Sequence, residues 1–341
     1  MMAKTRPGAT PRANAARCKQ TALIRLHSTT PAWLIASRAE TAERICFRTA
    51  PGRIASVRSR AYNRRMTTLL PFQLIQPDLG AGSPMPESWR PLAACPLVIL
   101  VGVTGVGKST VLAHLAELGL DYTLLPDRRV LTDRLIISAM QAQEGGPIQQ
   151  VTDRGLRFDY TRRYREQYPG GMAHALAQVS ASPVLAGRLL LFDGLRGANE
   201  VQHAAQALPQ ARFVMLEAPD AVRVQRLLGR RDAFDTIRVM PAVALDATGP
   251  QSLADLGLPE AAGLLPDEEA ARLIGWVRQG AINADDLRAK LRIVLEERRS
   301  YDPASTRAAL EQAAPSRALF LDTVALSPSE VSTAIAGWLQ A

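Results

Sequence analysis

Cysteine, histidine and lysine are all scarce in this chain of 341 residues, with three, four and four copies respectively. Cys18, Cys46 and Cys95 form no C-x-x-C pair and the histidines are scattered, so neither a disulfide framework nor a zinc site is readable. A reducing, cytoplasmic setting is the expectation. Aromatic residues reach only 5%, yet 47% of the chain is hydrophobic and 21% charged, which excludes a disordered protein or a collagen-like fibre. Long apolar runs are missing too. The longest, Leu92 to Val103 interrupted by Pro96, falls short of the roughly 20 residues that span a bilayer. No membrane segment is expected, and the length suits one large α/β domain or two small ones.

Acidic residues are nearly absent from the first 65 positions, which carry fourteen Lys and Arg against Glu40 and Glu43 alone. The remaining 276 residues carry 27 basic and 30 acidic groups, so the net charge of +9 comes from the leader. A basic pI therefore does not mark the body as a nucleic-acid binder. The leader has no helical or strand periodicity and is rich in Arg, Ala, Ser and Thr. It reads as a transit peptide, as a basic arm for nucleic acid, or as upstream sequence before a start at Met66. The abrupt change of composition at Met66 favours the last. Residues 1–90 are expected to be leader and linker, the Pro/Gly-rich stretch Pro77 to Pro91 serving as linker. The folded domain is expected over 91–341.

What is present is sharper. Pro96 to Val101 is a continuous apolar run, as in a strand buried on both faces. It leads into Gly102, Val103, Thr104, Gly105, Val106, Gly107, Lys108, Ser109 and Thr110, which satisfy G-x-x-x-x-G-K-[ST]. Val111, Leu112, Leu115 and Leu118 then share one helical face, and Gly119 is a stop signal. Glycines let the backbone wrap a phosphate, the helix start adds its dipole, and Lys108 brings a compact charge. The Ser109 hydroxyl suits Mg²⁺. Residues 102–110 are thus the expected ATP-binding loop, and Lys108 a catalytic residue. The body keeps only two lysines, Lys108 and Lys290, and one stands where the loop demands it.

A second buried-strand pattern, Leu189 to Phe192, ends in Asp193 and Gly194. A strand-end carboxylate beside such a loop holds Mg²⁺ directly or through water, so Ser109 and Asp193 are the metal candidates. Further on, Ala211 to Leu216 reads as a strand, and Pro219 suits a first helical turn. Arg226 and Arg230 lie four apart on one helical face, with Arg231 beside them. Such a cluster clamps phosphoryl charge in a transition state; the alternative is a basic helix end facing its own dipole.

Between the first helix and Asp193 lie Arg128, Arg129, Arg134, Arg154, Arg157, Arg162, Arg163 and Arg165, interleaved with aspartates. Arginine grips phosphate or carboxylate in bidentate fashion, which points to a small anionic acceptor; a solvated, ion-paired helix is the alternative. Asp127, Arg128, Arg129, Arg154, Arg157 and Arg196 are the acceptor-side candidates. Asp127 could also act as base toward a hydroxyl acceptor.

Three stretches resemble adenylate kinase and its nucleoside monophosphate kinase relatives: the loop itself, residues 189–208 (LLLFDGLRGANEVQHAAQAL), and residues 211–234 (ARFVMLEAPDAVRVQRLLGRRDAF). The resemblance implies that Arg226 and Arg230 meet the donor's base and phosphates and that Arg231 guards a lid hinge. Departures are visible. Arg196 falls one place early in the family's DGFPR segment, whose proline is absent. Residues 232–283 replace a short lid, and Asn283 stands where an arginine precedes paired aspartates. These departures detach the chain from AMP as acceptor.

Strands near 96–101, 121–125, 188–193, 211–216 and 317–322 alternate with helical patterns. The expected fold is α/β, a three-layer P-loop NTPase with a five-stranded parallel sheet and a helical lid insertion at 232–283. Ser327-Pro328-Ser329-Glu330 forms a capping box for a final helix with Val331, Ile335 and Leu339 on one face. The expected activity is transfer of the γ-phosphoryl of ATP, with Mg²⁺, to a small anionic or nucleotide-like acceptor. The alternative is a P-loop ATPase or switch that acts on a partner, favoured if residues 232–283 pack tightly.

Overall fold

The computed structural model describes residues 70–229 and 249–341, all within the unit Arg65–Ala341. Met66, the basic leader, Arg230, Arg231 and the first part of the expected lid lie outside the described residues. In chain order the first elements are β1 (Gln73–Gln76), β2 (Leu79–Ala81), β3 (Arg90–Pro91), β4 (Leu97–Val101), α1 (Lys108–Glu117) and β5 (Thr123–Leu124). Next come α2 (Arg128–Leu131), a π-helical turn (Thr132–Ile137), α3 (Ser138–Gln143), α4 (Arg154–Gln167), α5 (Met172–Leu176) and β6 (Val179–Ala181). Then follow β7 (Leu190–Leu195), α6 (Ala198–Ala207), β8 (Ala211–Glu217) and α7 (Asp220–Leu228). The chain closes with α8 (Asp267–Arg278), α9 (Ala284–Ser300), α10 (Pro303–Ala313), β9 (Ala318–Asp322) and α11 (Pro328–Gln340).

The main sheet has five parallel strands in the order β5-β7-β4-β8-β9. All five expected strands are there, and β4, which carries the glycine loop, is central. Its residues are buried without exception, and their side chains alternate between faces. Val98 and Leu100 join Val111 and Leu115 of α1 and Val331 and Ile335 of α11 in one core. Leu97, Ile99 and Val101 join Phe213, Val201 of α6 and Leu310 of α10 in the other. That is the three-layer α/β/α arrangement.

Some local expectations hold in detail. The Ser327–Glu330 capping box starts α11, and the Ser332 hydroxyl donates to the carbonyl of Val111 at 3.3 Å, docking α11 on α1. Gly119 adopts φ +76° just past the end of α1, a conformation that glycine takes without a Cβ penalty. Leu118 is a correction: it is 50% exposed, because α1 ends at Glu117 and the chain turns before that position reaches the sheet.

The linker expected over Pro77–Pro91, and with it a domain start at 91, is also corrected. β1, β2 and β3 form a second, four-stranded sheet with β6, in the order β1-β2-β6-β3. Leu79 pairs with Ala181 on one side of β6, and Arg90 pairs with Ala181 on the other. Pro77, Gly82 and Pro84 mark turns and bends, but Gly80 and Pro91 are strand residues, and Leu79 and Ala81 within the stretch, with Ile75 and Leu92 flanking it, are buried in the main core. Turn chemistry alone does not separate a linker from a small turn-rich sheet.

The described part of the expected lid, residues 249–283, carries α8 and two short 3₁₀ turns. Leu253, Leu256, Leu258, Leu273 and Ile274 share an apolar core with Val224 and Leu227 of α7 and Leu287, Leu291 and Val294 of α9. Trp276 packs against that core and Trp338 against the α1/α11 core. Asn283 caps α9, its side chain accepting the Asp285 amide at 2.7 Å, which accounts for asparagine at that position. Among the described residues no helix is long and apolar enough to cross a membrane.

Candidate active site

The glycine loop sits at the carboxyl end of β4, where strand order reverses and open α/β sheets bind ligands. Two of its glycines are there for space as well as for conformation. A Cβ on Gly102 (φ +147°) would lie 2.8 Å from the carbonyl oxygen of Leu216. One on Gly105 (φ +88°) would lie 3.1 Å from Arg223 of α7. The loop is therefore clamped between β8 and α7. Gly107 is the left-handed N-cap of α1, so Lys108 and Ser109 open the helix, where unpaired amides and the dipole favour an anion.

Lys108 folds back over the loop. Its Nζ donates to the carbonyls of Gly102 at 2.8 Å and Val103 at 3.1 Å and stands 3.6 Å from Asp193 Oδ1. Burial pushes its pKa down, and the Asp193 charge opposes this only in part. An ammonium held this way gains when a phosphate arrives. Asp193 lies within β7, next to β4 and two residues before the strand's end at Leu195 rather than at the end itself, and its Oδ1 is buried without a hydrogen-bond partner. An orphaned carboxylate oxygen costs free energy unless water or a cation meets it, so the donor set of Asp193 and Ser109 fits Mg²⁺. Two protein oxygens suffice, because Mg²⁺ keeps waters and takes substrate phosphates as its other ligands. Thr104, Gly105, Lys108, Ser109, Asp193, Gly194 and Arg196 enclose a cavity of about 160 Å³. Val103 and Val106 face the core instead, and Thr110 lies exposed in the first turn of α1.

A larger cavity of about 670 Å³ adjoins it, sharing Thr104 and Arg196. Its wall includes Arg128, Arg154, Arg165, Arg196 and Arg299 against Glu296 and Glu297, with Ile136, Phe158 and Met172 as apolar surface. Thr132 and Ile136 reach it from the π-helical turn, a local distortion often found at functional sites.

The acceptor-side candidates divide. Arg196, Arg128 and Arg154 line the cavity. Arg128 is pinned: it donates to both oxygens of Glu200 at 2.9 and 2.6 Å and to the carbonyl of Gly194 at 2.5 Å, and the Glu200 charge overcomes desolvation to raise its pKa. Arg154 reaches Glu296 at 3.3 Å. Arg157 turns away to Asp133 and the carbonyl of Val151. Asp127 is the N-cap of α2, its carboxylate accepting the Val130 amide at 2.8 Å, and neither it nor Arg129 lines the cavity. Arg226 spans the loop and the segment after β9, donating to the Thr323 carbonyl at 2.7 Å, to its hydroxyl at 2.8 Å and to the Gly105 carbonyl at 3.4 Å.

The sequence reading missed Glu297, Arg223 and Glu200 and did not single out Arg165 or Arg299. Glu297 accepts hydrogen bonds from Thr104, Arg196 and Arg223. A faint signal existed: Glu297 falls three residues after Val294, at the margin of the apolar stripe of α9. Its neighbours Glu296, Arg298 and Arg299 are all charged, which masks that signal.

Glycine loop, five-stranded parallel sheet and a carboxylate near the end of β7 together define an α/β fold of the P-loop NTPase type. Residues 98–239 match the family described as AAA domain. Among curated proteins no match is found. Solved structures with partial likeness include a shikimate kinase from Acinetobacter baumannii in complex with shikimate, at 16% identity over 73% of this chain and 95% of that one, TM-score 0.31. A gluconokinase from Sinorhizobium meliloti aligns at 14% identity over 74% of this chain and 94% of its own, with TM-score 0.30. An unliganded sugar kinase from Janibacter aligns at 16% identity over 72% of this chain and 95% of its own, TM-score 0.29.

Proposed function

We propose that this chain is an ATP-dependent phosphotransferase that moves the γ-phosphoryl group of Mg·ATP to a small anionic acceptor. The observation that carries this reading is the shared wall: Thr104 and Arg196 line both the phosphate-sized cavity and the larger arginine-rich one. Hydrolysis needs only the first cavity. Transfer needs two ligands meeting at one place, and a cationic side chain between them stabilises the charge of the group in flight. Residues 102–110 would cradle the polyphosphate, with Lys108 neutralising it and Ser109 and Asp193 holding Mg²⁺. Arg226, with Arg230 and Arg231, would face the donor. Arg128, Arg154 and Arg196 would face the acceptor, and Asp127, Arg129 and Arg157 would act on it only from behind the cavity wall.

A second reading, an ATPase that biases a partner, draws support from the packed core of residues 249–283 with α7 and α9. Release of ADP from Mg·ATP, measured with and without a panel of nucleotides, phosphorylated metabolites and hydroxy acids, separates the two. Stimulation by one acceptor class is the expected result; release indifferent to every acceptor assigns the chain to the second reading. For the metal, Asp193→Asn should raise the Mg²⁺ concentration for half-maximal nucleotide binding by about tenfold or more. An unchanged Mg²⁺ dependence removes Asp193 from that role.

A further inference from the structure

Glu297 occupies a place that local electrostatics disfavours. It lies in the last turn of α9, where the helix dipole repels a carboxylate, and it is only 7% exposed. What holds it there is tertiary. Oε1 accepts the Thr104 hydroxyl at 2.5 Å and Arg196 Nη1 at 2.7 Å, and Oε2 accepts the Thr104 amide at 3.0 Å and Arg223 Nη2. Arg223, itself 2% exposed, donates from Nε to the Thr104 carbonyl at 2.8 Å and pairs with Asp220 at 2.6 Å. Thr104 is thus gripped at its amide, its hydroxyl and its carbonyl by a single carboxylate–guanidinium pair.

Arg196 borders three cavities, of about 160, 390 and 670 Å³. Left to itself, a long arginine side chain at such a junction would sample many rotamers, at an entropic cost on binding. The bond to Glu297 fixes one. We propose that Glu297, itself part of the wall of the larger cavity, is a positioning residue for phosphoryl transfer, setting Arg196 and Thr104 between donor and acceptor through its hydrogen bonds while taking no part in the transfer itself. This rests on the phosphotransferase reading, because it treats that wall as the place where the transferring group passes.

The test compares a ground-state ligand with a mimic of the group in flight. Affinities of the full chain for Mg·ADP and for Mg·ADP with fluoroaluminate are measured in the parent protein, Glu297→Gln, Arg196→Gln and the double variant. Gln keeps the shape and loses the charge that orients both arginines. The expected result is Mg·ADP affinity within about threefold of the parent and a loss of fluoroaluminate-dependent tightening of about tenfold or more. In the Arg196→Gln background, Glu297→Gln should then cost little more, since the two act as one unit. Equal weakening of both ligands, additive losses, or no loss at all overturns the proposal. So does a parent protein that binds Mg·ADP and gains nothing from fluoroaluminate. A parent protein that binds no Mg·ADP overturns the underlying reading instead. Should Glu297→Gln fail to fold, Glu297→Asp, which keeps the charge but draws it back from Arg196 and Thr104, must show the same selective loss in smaller degree.

Discussion

We expect Lys108→Ala to lower Mg·ATP turnover by about a thousandfold and to leave the apo protein folded. Its ammonium is the one lysine charge bordering the phosphate-sized cavity, held by two loop carbonyls at 2.8 and 3.1 Å, so it is already aimed when the nucleotide arrives. No solvated side chain replaces a pre-oriented charge in a water-poor site. Stability moves differently. Burial, the dominant cause, sets the folded-state pKa of Lys108 below its unfolded value. The unfolded chain then keeps that proton to higher pH, so this group opposes folding in full below its lowered folded-state pKa and ceases to do so only as pH rises on to the ordinary, unfolded-state value. Removing it should leave the melting temperature unchanged or slightly higher. Nucleotide affinity has the opposite slope, because phosphate favours the protonated form: it should decline on the alkaline side at a pH below the ordinary lysine range. Turnover and thermal melts of Lys108→Ala, with a pH series of nucleotide binding in the parent, check all three. Persistent turnover removes Lys108 from the chemistry.

Glu200→Ala is the other large effect, and it falls on the fold. Glu200 is 4% exposed and takes both guanidinium nitrogens of Arg128, which also bonds the Gly194 carbonyl and the Tyr301 hydroxyl at 3.2 Å. The same carboxylate accepts the Arg196 amide at 3.0 Å. Deleting it strands a largely buried charge, which costs about 3 kcal/mol or more. Denaturant unfolding of the variant reads this directly, and a change below about 1 kcal/mol would show the pair to be no better than a surface ion pair. Glu200→Gln keeps the shape and half the bonds and should lie between. The double variant Glu200→Ala, Arg128→Met, which strands nothing, should recover much of the loss.

The strands and the glycine loop were legible because their signals are local. Five short, largely apolar runs, a motif with fixed spacing, and a capping box each depend on residues within a dozen positions of one another. The small sheet of β1, β2, β3 and β6 was not, because β6 lies nearly a hundred residues beyond its partners and two to four residues per strand leave no period to read. Among the arginines, sequence gave position and chemistry but no direction. Arg128, Arg129 and Arg157 read alike, yet only the first borders the cavity.

The chain by itself determined where phosphate would bind, since a loop that must wrap an anion needs glycine at positive φ and a lysine at one offset, and few other sequences supply them. It determined the order of strands and helices too, because burial on both faces of a parallel sheet requires unbroken apolar runs. Tertiary structure decided which charges meet. Glu297 lies 193 residues from Thr104 and 101 from Arg196. A carboxylate so distant becomes their partner only once α9 has docked, and nothing in its neighbouring residues encodes that distance.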